Sequence, residues 1–337
     1  MSGSYQQSAI SNQKAFAAEE ALPLATFKEI TEVRVQRPRW IEKEARQRRR
    51  PRRLTRDGKL VLLAIDHPAR GVTAIRGDAL AMGDRYQYLA RTRRVLDDPD
   101  LDGVVATADL LEELLILSHL ERKAIGHGFL DGRVLVGSMN RGGLAGTAFE
   151  MDDAFTAMGA ARLAELRCQG GKMMYRLEPQ EAGSGRTIVA CAQALNELRR
   201  AGLAAFLEPL GVTRGAGGYE PAKDASTLVR QCGIAAGLGD SSSHLWLKLP
   251  YGEGFSRVCR ATTLPILLLG GPARESPAAT LEDFASGLEA GPNVRGAIIG
   301  RNLLFPGEAD PLPMCRALTA LVHRGVGREG ALRLLEE

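Results

Sequence analysis

Short apolar segments alternate with longer amphipathic stretches along the chain from residue 58 onward. The apolar segments are rich in Val, Ile and Leu, whereas stretches such as Ala79–Leu96, Asp109–Arg122 and Thr187–Arg200 have the pattern of helices. This alternation is typical of repeated strand–helix units that build a parallel sheet. It predicts eight strands: Lys59–Asp66, Gly103–Thr107, Arg133–Asn140, Gly171–Leu177, Leu203–Glu208, His244–Pro250, Pro265–Gly270 and Val294–Gly300.

Eight strands, each followed by a helix over about 260 residues in all, match a TIM (β/α)8 barrel. A doubly wound sheet is the alternative, but no Gly-x-Gly-x-x-Gly loop follows the first predicted strand. We therefore expect an α/β protein with a catalytic barrel at 58–337 and an Arg-rich N-terminal extension at 1–57. The extension is predicted to be mobile or loosely attached up to about residue 25, where Ser, Gln and Ala dominate, and helical from 26 to 57.

Composition places few further limits on the protein. The 337 residues include 45% hydrophobic residues, enough for a sizeable core. The formal net charge of +4 comes from one stretch, Arg46–Arg56. Its most basic part, Arg46–Arg53, has no interleaved aromatic residues for base stacking, so we favour a solvated or subunit-contacting segment over nucleic-acid binding.

The cysteines and the hydropathy pattern point to the cytoplasm. The five cysteines are far apart and lack Cys-x-x-Cys spacing, so we expect free thiols. No apolar run approaches the roughly 18–20 residues of a membrane span, and the N-terminus lacks the apolar segment of a signal peptide. We therefore expect a cytoplasmic protein with no membrane partner. The sequence leaves the oligomeric state open, with a homo-oligomer as one option.

Polar residues stand at the C-terminal ends of the predicted strands, where TIM barrels place their active sites. Because side chains alternate along a strand, Asp66 shares a face with Ala64, and Glu208 shares one with Phe206. Several ionisable groups are therefore expected at one mouth of the barrel. The polar residues near these ends are Asp66, His67, Ser138, Asn140, Arg141, Lys172, Glu208, Lys248 and Arg301.

Lys248 lies in the apolar segment His244–Tyr251, where a protein core normally excludes charge. Burial disfavours the ammonium form and makes the amine a nucleophile for carbonyl carbon. A second cation such as Lys172 strengthens that effect, and a carboxylate such as Glu208 can transfer protons. A structural Lys248–Glu208 ion pair is the alternative. The combination predicts a Schiff-base aldolase. Its catalytic candidates are Lys248, Glu208, Lys172 and Asp66.

Glycines follow the seventh and eighth predicted strands, at Leu269-Gly270-Gly271 and Gly300-Arg301-Asn302. TIM barrels commonly bind phosphate there, because glycine lets backbone N–H groups approach closely and an arginine can pair with the charge. A tight turn is the structural alternative for the first pair. The loop Arg141–Gly146 either closes over a ligand or only connects two elements. We expect a small phosphorylated sugar substrate. Its binding candidates are Gly270, Gly271, Gly300, Arg301, Arg141, Ser138, Asn140 and His67.

His67 also raises the question of a metal-dependent aldolase. The other histidines show no His-x-x-His or His-x-x-x-His spacing. We therefore expect neither a metal nor another cofactor.

Seven segments carry motifs of a known family. The most specific are Ser138-Met-Asn-Arg-Gly-Gly-Leu-Ala-Gly146 and Trp246-Leu-Lys-Leu-Pro250. The others are Ala64–Gly71, Gly170–Met174, Leu207–Pro209, Thr263–Gly271 and Gly300–Arg301. From about residue 30 to the C-terminus, the chain resembles the (β/α)8 class I aldolase-like proteins of actinobacterial and related inositol-catabolic clusters. Those proteins belong to the wider deoxyribose-phosphate and tagatose-bisphosphate aldolase group.

The resemblance implies a role for each central residue. Lys248 matches the imine-forming lysine of strand six, and Glu208 matches the strand-five acid that transfers protons in the tagatose-bisphosphate branch. Lys172 matches that branch's strand-four lysine, and Asp66 matches the strand-one aspartate. Neighbourhood with inositol genes implies 2-deoxy-5-keto-gluconate 6-phosphate as the substrate, cleaved to dihydroxyacetone phosphate and malonate semialdehyde.

One position departs from related aldolases. Archaeal-type fructose-bisphosphate aldolases of the same superfamily use a tyrosine after strand four as proton donor. Here the comparable position is Glu178, and the nearby Tyr175 lies on the opposite strand face from Lys172. This departure favours Glu208 as the acid/base.

Other functions stay open at the level of sequence. A deoxyribose-phosphate-type or other sugar-phosphate aldolase would use the same lysine. A phosphosugar isomerase or epimerase would keep the phosphate site but form no imine. A non-catalytic or nucleic-acid-associated protein would act through Arg46–Arg53 and bind in a salt-sensitive manner.

Overall fold

The structure is a computed structural model that describes residues 15–140, 144, 146–215, 218–274 and 276–336. Its centre is a closed barrel of eight parallel strands surrounded by helices, which confirms the predicted TIM barrel. The strands are β1 (Leu60–Ala64), β2 (Gly103–Ala106), β3 (Val134–Ser138), β4 (Gly170–Leu177), β5 (Ala204–Gly215), β6 (Gly218–Pro221), β7 (Leu245–Pro250), β8 (Ile266–Leu269) and β9 (Val294–Ile299).

Strand pairing closes the sheet on itself. The order is β4-β3-β2-β1-β9-β8-β7-β5-β6, and an additional β4–β5 pairing completes the ring. Every pairing in the ring is parallel, and all eight predicted segments coincide with its strands. Among the described strands, only β6 lies outside the ring, and it pairs antiparallel with the C-terminal end of β5.

Strand β5 continues well past the predicted end at Glu208. Its ladder with β4 runs on from Met174 opposite Glu208 to Leu177 opposite Gly211, and the β6 hairpin pairs with the rest. A Glu-Pro sequence suggests the end of a strand, but pairing with β4 carries the strand through Pro209. Glu208 consequently lies within a long strand, and residues before and after it pair with β4.

The helices surround the barrel. They are α1 (Ala18–Ala21), α2 (Leu24–Gln36), α3 (Trp40–Gln47), α4 (Arg85–Val95), α5 (Ala108–Ile125), α6 (Ala160–Glu165), α7 (Ala182–Arg200), α8 (Ala225–Ala236), α9 (Phe255–Arg260), α10 (Pro277–Glu289), α11 (Arg301–Leu304), α12 (Pro311–Thr319) and α13 (Gly327–Glu336). Short 3-10 and π segments lie at Pro68–Arg70 and Ala320–Arg324. The predicted start of α4 at Ala79 is wrong, because the Asp84 carboxylate accepts from Gln87 N at 3.0 Å and caps a helix that begins at Arg85.

The core forms two layers. The inner layer fills the barrel and includes Ala64, Phe206 and the half-buried Trp246, as the strand alternation predicts. The outer layer packs the other strand faces against the helices and contains Tyr175. Side chains that point into the barrel near the C-terminal strand ends therefore do not pack in the outer layer, and polar groups can occupy these positions.

The N-terminal segment from residue 15 is attached to the barrel. Phe16 N donates to Glu308 O at 2.9 Å, and α2 and α3 pack against α5. Beyond α3 the described chain has no helix before β1, and the half-buried Leu54 packs against the inner barrel core. The basic segment thus crosses the N-terminal end of the barrel.

Within the described residues, no helix is long and apolar enough to cross a membrane.

Candidate active site

Four charged side chains meet inside the C-terminal mouth of the barrel. Lys172 lies on β4, Glu208 on β5 and Lys248 on β7, while Asp66 follows β1. Along the strands they share an inward face with core residues, as Glu208 does with Phe206 two positions earlier. All four side chains are buried.

Hydrogen bonds join these groups into one chain of contacts. Ser138 Oγ donates to Asp66 Oδ2 at 2.9 Å, and Lys172 Nζ lies 3.0 Å from the same oxygen. Lys172 Nζ is also 3.2 Å from Glu208 Oε2. Lys248 Nζ donates to that Glu208 oxygen at 2.9 Å. One carboxylate oxygen is therefore shared by two ammonium groups.

The two lysines differ in their electrostatic surroundings. Burial lowers the pKa of Lys172, but Asp66 and Glu208 together outweigh it and leave the pKa raised. Burial also lowers the pKa of Lys248, where Glu208 opposes the shift and the positive charge of Lys172 adds to it, so the net pKa is lowered. Lys248 is thus the amine that loses its proton more readily.

Both carboxylates are held in the ionised form. Burial raises the pKa of Glu208, but Lys248 and Lys172 more than reverse this and bring it to about 2. Burial likewise raises the pKa of Asp66, while Lys172 and other neighbouring cations hold it well below its usual range. Glu208 is therefore ionised near neutral pH, which is the form that a general base must have before it takes a proton.

His67 stands next to this cluster as a neutral imidazole. Burial lowers its pKa to about 3, although Asp66 opposes the shift. The ring packs on Gly300, where a Cβ would come within 2.4 Å of His67 Cε1. Glycine at this position thus lets the end of β9 approach the turn after β1.

Asn140, a predicted ligand-binding residue, is engaged with the backbone. Its Nδ2 donates to Met174 O at 2.6 Å, and Met174 N donates to its Oδ1 at 3.0 Å. The amide therefore ties the end of β3 to β4. Arg141, the next predicted binding residue, lies outside the described residues.

The glycine loop after β8 is fixed by Asn302. Its Nδ2 donates to Gly270 O at 2.7 Å and to Pro272 O at 2.8 Å. Gly271 has a φ of 65°, a left-handed conformation that suits glycine. Gly270 and Gly271 border a small pocket whose lining includes none of the four central charged residues.

Arg301 follows β9 at the same mouth. Its half-buried guanidinium has a buried Nε without a hydrogen-bond partner among the residues that the structure describes. Burial and the positive charge of Arg70 lower the pKa of Arg301, although Glu208 partly opposes them. Arg301 is thus a cation that faces the charged cluster with donor capacity unused.

Two further arginines were missed by the sequence reasoning. Arg176 lies on β4 and is 8% exposed, two strand positions beyond Met174 and four beyond Lys172. The same alternation that selected Lys172 would have found it. Arg70 lies in the 3-10 turn after β1, and no periodic signal marks it.

The alternative proton donors lie elsewhere. Tyr175 belongs to the outer core layer, so it faces away from Lys172 as predicted. Glu178 Oε2 accepts from Gln180 N at 2.7 Å in the turn after β4. No cluster of three or more His, Cys, Asp or Glu side chains suited to a metal ion occurs in the described part of the chain.

The protein is thus a closed (β/α)8 barrel with two buried lysines and two ionised carboxylates at its C-terminal mouth. An archaeal fructose 1,6-bisphosphate aldolase shares this fold, with 20% identity over 85% of this chain and 100% of that chain and a TM-score of 0.58. A fructose-bisphosphate aldolase from Slackia heliotrinireducens shares it at 14% identity, over 96% of each chain, with a TM-score of 0.61.

The chain belongs to the Cgl0159-like family, whose model matches residues 58–317. The crystal structure of Cgl0159 from Corynebacterium glutamicum (Brevibacterium flavum) is 36% identical, covers 90% of this chain and 99% of that chain, and has a TM-score of 0.83. No curated protein matches the sequence.

Proposed function

We propose that this protein is a class I aldolase that cleaves a phosphorylated keto sugar or keto acid through a Schiff base on Lys248. The observation that carries the proposal is the pair of buried lysines on one Glu208 oxygen, with opposite pKa shifts. One amine is poised to lose its proton and the other stays charged. Fold neighbours described as Schiff base-forming aldolases add support at the level of architecture.

The proposed reaction begins with attack of neutral Lys248 Nζ on the substrate ketone. Loss of water from the carbinolamine gives an iminium, which withdraws electrons from the adjacent C–C bond. Glu208 takes the proton of the hydroxyl group on the far carbon of that bond, the bond breaks, and an aldehyde leaves. The remaining enamine is protonated and then hydrolysed, which releases the ketone phosphate and regenerates the amine.

Lys172 and Asp66 have supporting roles in this mechanism. The Lys172 ammonium contacts both carboxylates, so it fixes Glu208 beside Lys248 and keeps Glu208 ionised. Asp66 in turn holds Lys172 and accepts from Ser138. Loss of Lys172 would change both the position and the proton affinity of Glu208.

The substrate phosphate is assigned to the loops after β8 and β9. Arg301 supplies an unused donor and a positive charge, and Gly300, Gly270 and Gly271 stand at the usual phosphate position of TIM barrels. The first substrate to test is 2-deoxy-5-keto-gluconate 6-phosphate, which would give dihydroxyacetone phosphate and malonate semialdehyde. The motif resemblance supports this choice.

A panel of phosphorylated keto sugars and keto acids, together with the aldose deoxyribose 5-phosphate, tests the proposal. Retro-aldol cleavage is followed by the release of the aldehyde and ketone products, with and without borohydride. We expect turnover of at least one compound, and inactivation by borohydride only when that substrate is present. Turnover that borohydride does not inhibit, or interconversion without cleavage, would favour an isomerase or epimerase instead.

A further inference from the structure

Asn302 uses its whole side-chain amide on the loop after β8. Its Nδ2 donates to Gly270 O at 2.7 Å and to Pro272 O at 2.8 Å, and its Oδ1 accepts from Arg274 N at 2.7 Å. The residue is only 3% exposed, so these bonds form away from water, where they are strong. Three hydrogen bonds from one buried side chain therefore determine how the backbone of residues 270–274 is turned.

The orientation of two carbonyl groups fixes the orientation of two N–H groups in this loop. No cis peptide bond occurs in the described residues, and in a trans peptide the C=O group and the next N–H group point in opposite directions. The carbonyl groups of Gly270 and Pro272 point towards Asn302. The N–H groups that follow them, those of Gly271 and Ala273, therefore point away from it. Neither N–H group has a hydrogen-bond partner in the part of the chain that the structure describes.

Two unused backbone donors on a half-buried loop suit an anion. Gly271 and Ala273 are both half-buried, and Gly271 has the left-handed φ of 65° that occurs in anion-binding backbone nests. Arg301, the residue before Asn302, also keeps its buried Nε without a partner among the described residues. The turn after β9 thus supplies a positive charge through one residue and orients the loop after β8 through the next.

We propose that Asn302 is a positioning residue for the substrate phosphate and that the N–H groups of Gly271 and Ala273 donate to that phosphate. The inference rests on the proposed function and deepens it, because it names the backbone donors of the phosphate site and the side chain that aligns them. Both hydrogens of the Asn302 amide are already used, so Asn302 itself donates nothing to the phosphate. It acts by holding the loop before the ligand arrives, and its effect should fall on phosphate binding rather than on imine formation.

A second side chain holds the C-terminal end of the loop. Arg76, in the segment after β1, donates from Nη2 to Arg274 O and, at 3.0 Å, to Phe305 O. Arg274 is thus held through its N–H group by Asn302 and through its carbonyl group by Arg76. Because Arg76 is exposed and makes one of these contacts rather than three, its loss should disturb the loop less than the loss of Asn302.

Inorganic phosphate is the probe for the alignment of the loop. Asn302→Ala removes all three bonds, so the two N–H groups are no longer held in one orientation. We expect phosphate to bind about 10- to 100-fold more weakly to this variant, the factor of one lost hydrogen bond to a charged group. Calorimetry with the full-length protein measures the affinity.

Asn293 provides a matched control at the other end of the same strand. It directly precedes β9, and its Nδ2 donates to Thr262 O at 2.9 Å and to Cys259 O at 3.1 Å. Asn293→Ala therefore also leaves backbone carbonyl groups without a donor, and both variants should unfold at a lower temperature than the wild type. Only Asn302→Ala should lose phosphate affinity. An equal loss in the two variants, or no loss in Asn302→Ala, would overturn the inference.

Arg76→Met takes the place of Asn302→Ala if that variant does not fold. It releases Arg274 O and leaves the buried amide intact, so we expect phosphate to bind about 2- to 10-fold more weakly, the factor of one neutral hydrogen bond. Arg52→Met removes an exposed arginine at the opposite end of the barrel and should bind phosphate like the wild type. In that case, wild-type affinity in Arg76→Met would overturn the inference.

Trapping of two ketones on Lys248 separates phosphate binding from imine formation. Dihydroxyacetone phosphate carries the phosphate, whereas dihydroxyacetone lacks it. In Asn302→Ala we expect the concentration of dihydroxyacetone phosphate that gives half-maximal trapping by borohydride to rise about 10- to 100-fold, with the same maximal rate. Trapping of dihydroxyacetone should not change. Loss of trapping for both ketones would place Asn302 in the imine step and contradict its assigned role.

The proposed function and this inference can fail separately. If the wild type traps neither ketone, the aldolase proposal is contradicted, and the phosphate affinities still decide the role of Asn302. If the wild type traps dihydroxyacetone phosphate and Asn302→Ala traps it at the same concentrations, only the role of Asn302 is contradicted. Absence of phosphate binding to the wild type also overturns that role.

Discussion

The two ends of the barrel both carry arginines, but their guanidinium groups have different partners. At the N-terminal end, the two Nη atoms of Arg48 donate to Arg133 O at 3.2 Å and to Arg167 O at 2.6 Å, while its Nε is buried without a partner among the described residues. Arg133 donates to backbone carbonyls such as Asp98 O at 3.0 Å. At the C-terminal mouth, Arg70, Arg176 and Arg301 each keep a buried nitrogen without a partner among the described residues. The first set stabilises loops through bonds to backbone carbonyl groups, whereas the second set lies at the same mouth as the charged cluster.

The difference shows that charge density in the sequence is a poor guide to the candidate site. The most basic run, Arg46–Arg53, lies at the barrel end opposite the charged cluster, and its Arg48 is buried among carbonyl groups. Isolated charges within apolar strands, such as Lys248 and Arg176, lie at the end that holds the charged cluster. Because burying a single charge costs free energy, a charged residue within an apolar strand indicates a candidate functional position.

Replacement of the proposed nucleophile should have the largest effect. Lys248→Arg keeps the positive charge beside Glu208 but cannot form an imine, so we expect kcat to fall by on the order of 10⁴-fold or more. Steady-state kinetics with the best substrate of the panel measures the loss. Lys43→Arg, at an exposed position on α3, is the control and should retain full activity. Substantial activity in Lys248→Arg would remove the imine from the mechanism.

Glu208→Gln should reduce activity less than loss of the nucleophile. The amide cannot take the hydroxyl proton, so we expect kcat to fall by about 10²- to 10⁴-fold. Borohydride trapping of dihydroxyacetone phosphate should persist, since Lys248 remains. A variant with full activity would show that another group is the base.

The same residue should affect stability in acid. The pKa of Glu208 in the folded protein is about 2, below the ordinary value of 4.5, so its stabilising contribution is complete above about pH 4.5 and is lost as the pH falls towards 2. By linkage, about 2 kcal/mol of the free energy of unfolding should be lost between pH 6 and pH 3 through this group. Urea denaturation at the two pH values measures it. Glu208→Gln should lose correspondingly less than the wild type, and equal losses would contradict the assigned ionisation.

Replacement of an arginine at the N-terminal end of the barrel should lower the free energy of unfolding and leave imine formation unchanged. Arg48→Met removes hydrogen bonds to two buried carbonyl groups, so we expect a loss of about 1–3 kcal/mol in the free energy of unfolding, with imine trapping intact. Arg52→Met, at an exposed neighbouring position, should stay within about 0.5 kcal/mol of the wild type. Loss of trapping in Arg48→Met would show that the two ends of the barrel are coupled.

Sequence periodicity was sufficient to predict the barrel and the inward faces of its strands. It placed Lys172, Glu208 and Lys248 on those faces because local alternation determines which side chains point inward. It could not place Arg70, which lies in an irregular turn, or the continuation of β5 past Pro209, which depends on pairing with neighbouring strands. The unequal surroundings of the two lysines likewise depend on the distance of each amine from Asp66, which only the folded chain determines.

Location of the trapped lysine is the most direct test of the account. The wild-type protein is incubated with dihydroxyacetone phosphate and borohydride, digested, and examined by peptide mass spectrometry. We predict a reduced adduct on Lys248 and none on Lys172, since the pKa of Lys248 is lowered and that of Lys172 is raised. An adduct on Lys172, or none on either lysine under conditions of full turnover, would contradict the assignment of Lys248 as the imine-forming nucleophile.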